Sequence, residues 1–337
     1  MSLHQLLART CWHLVAHRSE LAEDRDYLRL HWPLGDLVLF NDRGTVLAFD
    51  NLCPHRGARF FLDPAGNAPA VCAYHGWSYR GGQLRIPKPD SYRPCDLAKV
   101  RLREYLVAWC GDFLFAAADP DSSLNTQLDE AWPLIEGMAS DIDRPHDLLT
   151  DVLQCPWQIA VENALEPDHV GMVHGATLGK LDLRDTQDTF FGQNSLISSA
   201  VGSVRHARAL ESMGRFFDLR HQHRGYRSLH VFPFAFVSST FGYIYAHQTF
   251  MPARDGRSTY LRSRMFTART IAPAAVTKQF FSSAAELNRQ VFSEDHTICK
   301  RVDPDFPLDQ DGILSDSEGK IRHLRSSLAR YSPRLSP

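Results

Sequence analysis

The chain has 337 residues, with 37 Lys and Arg against 39 Asp and Glu, and a formal net charge of -2. That balance excludes a polybasic nucleic-acid binder and an acidic-tail protein. Hydrophobic residues make up 44% and charged residues 23%, a globular composition, and the length fits about two domains of roughly 150 residues each.

The N-terminal stretch carries His4, Arg9, His13, His17 and Arg18 through its apolar part and has no small-residue cleavage site, so a cytoplasmic protein is expected. From Tyr27 onward short β-type runs (YLRLHW, DLVLFN, TVLAFD, QLRIP, YLVAWC, DFLFAA) are separated by Gly, Asp, Asn and Pro clusters, which predicts a small all-β domain. After Ala118 the polar stretch DPDSSLNTQLDEAWP reads as a linker, and the boundary is placed near residue 125, giving domains 1–125 and 126–337. The second part mixes helix and strand. Cys155 to His174 has helical content, Val231 to Met251 alternates in the manner of a half-buried strand or hairpin, and Pro273 to Val302 is a long amphipathic helix. The longest charge-free apolar stretch, Val231 to Ala246, is interrupted by Pro233, Ser238, Ser239, Thr240 and Gly242, so no membrane span is expected. No phosphate-binding glycine loop is present.

Seven cysteines at irregular spacing suit metal or free-thiol roles better than a disulfide framework. Cys53-x-His55 and Cys72-x-x-His75 form two mixed pairs with sixteen residues between them. Two thiolates and two imidazoles suit a transition metal, and a structural zinc site would accept the same four ligands. Zinc fingers, however, usually pair Cys with Cys and His with His. One of each per loop fits a [2Fe-2S] centre with Cys53 and Cys72 on one iron and His55 and His75 on the other.

The motifs C-P-H-R-G-A and C-x-Y-H-G-W resemble the two cluster loops of the Rieske domain of ring-hydroxylating and demethylating oxygenases. The respiratory type is less similar, because Ala58 and Tyr74 stand where it has two further cysteines. Arg56 and Trp77 are expected beside the cluster, with Trp77 equally readable as a core aromatic packed under the loop.

Glu162, Asn163, Glu166, Asp168, His169 and His174 fall within thirteen residues. His169 and His174 are five apart, about 140° around an ideal helix, and can share a metal only where the helix bulges or ends between them. Gly171, Gly175 and Pro167 make such a break inexpensive. Taken alone, two His at an otherwise apolar helix end are more often satisfied core residues than ligands. A third ligand is sought in the late helix. With Val291 at zero, its apolar stripe runs from about -40° to +100°, with Asp295 at about +40°, Glu294 at the edge and His296 outside at about +140°. A carboxylate on a core-facing stripe is costly unless paired or bound to metal, which selects Asp295.

Two His and one carboxylate make the facial triad of non-haem Fe(II) oxygenases. The pattern N-x-x-[DE]-x-x-H-x-x-x-x-H with a late E-D resembles the catalytic domain of Rieske oxygenases, especially the short members similar to vanillate O-demethylase and dicamba monooxygenase. The resemblance implies an α+β chain, an N-terminal all-β Rieske domain followed by a helix-grip catalytic domain in which an antiparallel sheet is flanked by helices. It implies iron on His169, His174 and Asp295, with Asn163 near it. It also implies an acidic bridge to His75 of a neighbouring subunit in a head-to-tail homotrimer. That acid is Glu166 where the family usually has Asp, with Asp168 as the fallback.

The function implied is that of a terminal oxygenase using O2 and electrons from NAD(P)H, delivered by a separate flavin and iron-sulfur reductase or a ferredoxin. The reaction expected is monooxygenation, by hydroxylation or by O- or N-demethylation, of a small aromatic substrate, with an anionic one as a further option. A ring cis-dihydroxylating dioxygenase and a Rieske electron carrier are the alternatives. Phe232, Phe234, Tyr243, Tyr245 and His247 are expected at the pocket floor by the same resemblance. The Arg-rich stretch from Gly202 to His230 reads as a solvated basic face or a docking patch for an acidic reductase, and less readily as an entrance for an anion.

Overall fold

The computed structural model describes residues 1–306 and 313–335. The chain divides into two compact units, one of Ala8–Asp121 and the other of Met1–Leu7 with Ser122–Pro337.

The Ala8–Asp121 unit is built from β1 (His13–His17), β2 (Asp26–Trp32), β3 (Gly35–Asp42), β4 (Thr45–Asp50), β5 (Ala65–Asn67), β6 (Ser78–Arg80), β7 (Gln83–Arg85), β8 (Glu104–Cys110) and β9 (Phe113–Ala117). Seven of these form one antiparallel sheet in the order β1-β9-β8-β4-β3-β2-β5, and β6 and β7 form a separate hairpin. The β-type runs predicted from the sequence are therefore strands. Tyr27, Val38, Phe40, Phe49, Phe60, Phe61, Trp77 and Tyr79 pack into one core cluster that also contains Cys53 and Cys72. Asn51, wholly buried, ties this core to the loop that follows: its Nδ2 donates to the Phe61 carbonyl at 2.7 Å and its Oδ1 accepts from the Phe61 N–H at 2.9 Å. Both polar groups of the side chain are thus satisfied inside the core.

The second unit contains β10 (Ile142–Leu153), β11 (Leu183–Phe191), β12 (Asn194–Val201), β13 (Tyr226–Val231), β14 (Ala235–Thr240), β15 (Ile244–Pro252) and β16 (Thr259–Ala268). They form one antiparallel sheet in the order β10-β16-β15-β14-β13-β12-β11, with β14 and β15 almost entirely buried and the edge strand β11 mostly exposed. The apolar stretch from Val231 to Met251 is not one strand. Phe232 and Phe234 lie in the connection between β13 and β14, and Phe241 to Tyr243 in the turn before β15. The late helix spans Ala274–Cys299 and packs on β10 and on the shorter helices Trp157–Leu165 and His169–Val173. No helix among the described residues is long and apolar enough to cross a membrane.

The helices Trp157–Leu165 and Gly319–Ala329 are in contact and are pinned by an ion pair. Arg325 reaches Glu162 with Nε at 2.9 Å and Nη2 at 2.8 Å, and Gln158 donates to the same carboxylate at 3.0 Å. Glu162, buried and matched by a fork of two donors, is thus a structural group and takes no part in a metal site. Arg325→Met would leave that carboxylate buried without its cation. It is expected to cost about 3 kcal/mol, read as a lower denaturant midpoint in far-ultraviolet circular dichroism, with Arg325→Lys falling between the two proteins.

Candidate metal centres

In the Ala8–Asp121 unit the two predicted loops have the same hydrogen-bonded form. In the first, Cys53 N–H donates to the Ala58 carbonyl at 2.7 Å and Gly57 N–H to the Cys53 carbonyl at 2.8 Å; in the second, Cys72 N–H donates to the Trp77 carbonyl at 2.7 Å and Gly76 N–H to the Cys72 carbonyl at 2.9 Å. Gly57 and Gly76 sit at φ of +74° and +72°, where a side chain is disfavoured by backbone sterics even though neither site is crowded. One turn is used twice, opened by a cysteine each time, with its histidine two residues on in the first loop and three residues on in the second.

The two cysteines lie in the core, whereas His55 is partly exposed and His75 exposed. The imidazole rings are 4.6 Å apart between centroids, and His55 stacks on the buried Trp77 indole at 4.8 Å with the planes 6° apart. Trp77 is thus the packing platform of one ring. Arg56 holds its guanidinium 5.2 Å from the centre of the Tyr74 ring, and Tyr74 stacks on His75 at 4.2 Å. His55 Nδ1 is buried with no hydrogen-bond partner among the described residues, an orphaned acceptor of the kind a metal ion satisfies. Burial, together with neighbouring Cys72, pushes the Cys53 thiol up despite backbone donors. A thiol in that setting becomes a thiolate only beside a strong positive charge, and an iron cluster supplies one.

In the second unit, Pro167 shapes the site. The residue before a proline is driven to extended backbone, and Glu166 accordingly leaves the Trp157–Leu165 helix at φ -103°, ψ 143°. A short helix, His169–Val173, follows, and His174 stands just past its end. The break required by the five-residue spacing is therefore the end of this helix. His169 and His174 bring their Nε2 atoms to 3.2 Å from each other, and Asp295 Oδ1 lies 3.5 Å from the first and 3.0 Å from the second. One ligand atom from each of the three falls within 4.8 Å of the others, the one such group of three or more among the described residues. Asn163 Nδ2 donates to the same Asp295 oxygen at 2.9 Å.

Each imidazole is oriented from behind. Glu166 Oε1 accepts from His169 Nδ1 at 2.5 Å, and its Oε2 accepts from the backbone N–H groups of Asp168 and His169 at 2.6 and 3.1 Å. Asp168 turns away to Ser315 and Ser317, so Glu166 and not Asp168 engages His169. Glu294 Oε2 accepts from His174 Nδ1 at 2.7 Å and from Thr177 Oγ1 at 2.6 Å. Sequence reasoning set Glu294 aside at the edge of the apolar stripe; its only signal was adjacency to Asp295.

Burial alone would lower both histidines, but hydrogen bonds to the surrounding carboxylates outweigh it, raising His169 to about 9 and His174 above its ordinary value. Burial would raise Asp295, and the two imidazoles instead bring it down to about 2. Three carboxylates around two imidazoles leave the cluster short of positive charge. A divalent cation between Nε2, Nε2 and Oδ1 makes good that shortage, and this donor set fits non-haem Fe(II).

The cluster borders a small cleft of about 90 Å³, partly open to solvent, whose walls include Leu178, Ile197, Tyr226, Gln248, Val291 and Phe292. A second space of about 120 Å³ shares Leu178, Tyr226, Gln248 and Val291 with it. None of the five residues expected at the pocket floor lines either space. On β15 the alternation runs the other way: Ile244, Ala246 and Gln248 face the cavities, which leaves Tyr245 and His247 on the opposite face. Tyr243 stacks on Phe217 at 4.4 Å, Phe234 meets Trp157 at 5.0 Å, and Phe232 lies 6.0 Å from Tyr331. These aromatics are core. No arginine of the Arg-rich stretch lines either space, although Tyr226 and Ser228 from its end do; Arg205, Arg208, Arg215, Arg220 and Arg224 are exposed.

A paired Cys/His loop unit, followed in one chain by a sheet-and-helix unit with a two-His, one-carboxylate cluster, defines a protein with two kinds of iron centre. Residues 11–100 match the Rieske [2Fe-2S] domain and residues 153–330 match the vanillate O-demethylase oxygenase C-terminal domain; the chain belongs to this family of Rieske oxygenases. It is 30% identical over 184 residues to the glycine betaine monooxygenase oxygenase subunit of Chromohalobacter salexigens, covering 52% of this chain and 41% of that protein. With the carnitine monooxygenase oxygenase subunit of Escherichia coli K12 it shares 33% identity over 180 residues, covering 48% of this chain and 46% of that one. With the toluate 1,2-dioxygenase α subunit of Pseudomonas putida it shares 30% over 197 residues, covering 52% and 43%. The matched part is thus less than half the length of these relatives. In fold it is similar to the quaternary ammonium Rieske monooxygenase CntA in complex with an inhibitor, with a TM-score of 0.78 at 20% identity over 97% of this chain and 91% of that one. The naphthalene 1,2-dioxygenase of Rhodococcus sp. gives a TM-score of 0.73 at 16% identity, covering 99% and 92%.

Glu294→Gln keeps the shape but removes the charge that fixes His174. Iron at the three-residue cluster is expected to be lost about 10- to 100-fold more readily to a chelator, while the visible spectrum of the [2Fe-2S] cluster is unchanged.

Proposed function

We propose that the protein is the terminal oxygenase of a multicomponent system, performing O2-dependent monooxygenation of a small organic substrate by hydroxylation or by O- or N-demethylation. The observation that carries this is the gathering of His169, His174 and Asp295 at the wall of a cleft lined mainly by uncharged side chains. When bound, a mononuclear Fe(II) supplies O2 activation, and the Rieske cluster, held by Cys53, His55, Cys72 and His75, supplies a one-electron store.

The rest of the work falls to the chain. His169, His174 and Asp295 would hold the iron beside the cleft that they line. Glu166 and Glu294 keep the two Nδ1 protons and so direct both Nε2 atoms inward. Asn163 fixes Asp295. Leu178, Ile197, Val291 and Phe292 limit water around the reacting groups. Only Tyr226 and Phe292 are aromatic among the walls, so an aromatic substrate draws little support from the cavity. The relatives named for carnitine and glycine betaine favour a small polar substrate, a quaternary ammonium compound among them.

Electrons are read as coming from NAD(P)H through a separate reductase or ferredoxin. We read the assembly as a head-to-tail homotrimer in which Glu166, with one oxygen on His169, meets His75 of a neighbouring copy. A cytoplasmic location belongs to the same reading and rests on the irregular cysteines.

Anaerobically purified protein is expected to carry about three iron and two acid-labile sulfide per chain. His174→Ala is expected to retain about two iron, two sulfide and the visible spectrum but to form no product. A parent protein with about two iron per chain that fails to take up added Fe(II) would instead be an electron carrier.

A further inference from the structure

Lys320 is 2% exposed and is one of the largest fully buried side chains of the second unit. It lies at the second position of the Gly319–Ala329 helix and lines the same cleft as His169, His174 and Asp295, where it is the one Lys or Arg among the lining residues. Its ammonium makes no hydrogen bond or ion pair with any described residue. The carboxylates whose fields reach it are Asp188 and Glu166. Asp188 belongs to the exposed edge strand β11, and Glu166 already spends both oxygens on the His169 ring and two backbone N–H groups. Burial pulls the lysine down to about 8 against the pull of those two carboxylates, so the ammonium is still mostly charged at neutral pH.

A buried ammonium with no partner is costly, and the space open to it is the cleft. We propose that Lys320 is the anchor for a carboxylate on the molecule that occupies this cleft, so that the substrate is a small monocarboxylate. A single negative charge fits better than a dianion, because Glu166 and Asp295 stand in the same wall. Ser199, Ser228 and Gln248, also in the wall, offer hydrogen bonds to the remainder of such a ligand. Calling the ligand the substrate rests on the oxygenase function proposed above; the preference of the cleft for a carboxylate does not.

The test compares matched acids and amides, benzoate with benzamide and cyclohexanecarboxylate with cyclohexanecarboxamide, by anaerobic calorimetry on the intact iron-loaded protein. The parent is expected to bind each acid about tenfold or more tighter than its amide. Lys320→Met is expected to bring the two to parity, and Lys320→Arg to retain most of the preference. The visible spectrum and the melting temperature report whether each variant is folded, with Lys320→Gln replacing Lys320→Met should the latter not fold. The proposal is overturned if the parent binds neither acid, if it shows no preference, if the preference survives in Lys320→Met, or if acid and amide weaken equally. The last result would make Lys320 only a balance for Glu166 and Asp188. Iron and sulfide are counted on the same samples: a carboxylate preference without the third iron would sink the oxygenase function and leave the anchor standing.

Discussion

The structure of the second unit depends on one costly placement, the Asp295 carboxylate on the buried side of a long helix. Left alone, such a charge would shift its pKa or unfold its surroundings. Here it is met from two other segments, by Asn163 from the Trp157–Leu165 helix and by two imidazoles from the turn that follows. The imidazoles are in turn polarised by Glu166 and Glu294. Negative charge still exceeds positive within the cluster. That imbalance is what a bound cation would correct, since three carboxylates gathered about two imidazoles leave the cluster short of positive charge.

The Ala8–Asp121 unit solves a related problem in another way. Two thiols are placed in the hydrophobic core, where ionisation is unfavourable, and two imidazoles at the rim. The thiolates would gain their counter-charge from a metal, and the histidines stand at the solvent-exposed rim. Using one loop twice, with a left-handed glycine at the same step of each, gives matched geometry from very little sequence.

This explains how unevenly the molecule could be read from its sequence. Chemistry packed into a local turn was legible: C-P-H-R-G-A, C-x-Y-H-G-W and the two histidines near Pro167 each carry their own geometry. Asp295 was legible because a lone acid on an apolar helical stripe violates the pattern around it. Glu294 and Lys320 were not. Glu294 acts on His174, 120 residues earlier, and Lys320 enters the cleft from a helix far along the chain from the other wall residues, so nothing in helical periodicity separates them from ordinary surface charges. The five aromatic and imidazole side chains expected at the pocket floor line neither of the two spaces beside the cluster, for a different reason. Large aromatics fill space, so they mark packed regions, and the face of β15 that borders the cavities carries Ile244, Ala246 and Gln248 instead. In a sheet buried on both faces, alternation shows that two faces exist and not which of them borders a cavity.

The same constraint accounts for the helices around the cleft. Glu162 and Asn163 are neighbours on one short helix, yet the first is pinned to Arg325 of the Gly319–Ala329 helix and the second to Asp295 of the long helix. Apolar packing tolerates small slides between helices, whereas a bidentate ion pair and a directed amide bond each accept one register. A slide of the short helix would strand Glu162 and loosen Asp295 together, and Lys320 rides on the helix that Arg325 holds. Buried polar pins of this kind add little net stability for the desolvation they require. Their value here is positional: two adjacent residues fix three helices, and those helices carry the metal ligands and the buried Lys320 to opposite duties in a single cleft.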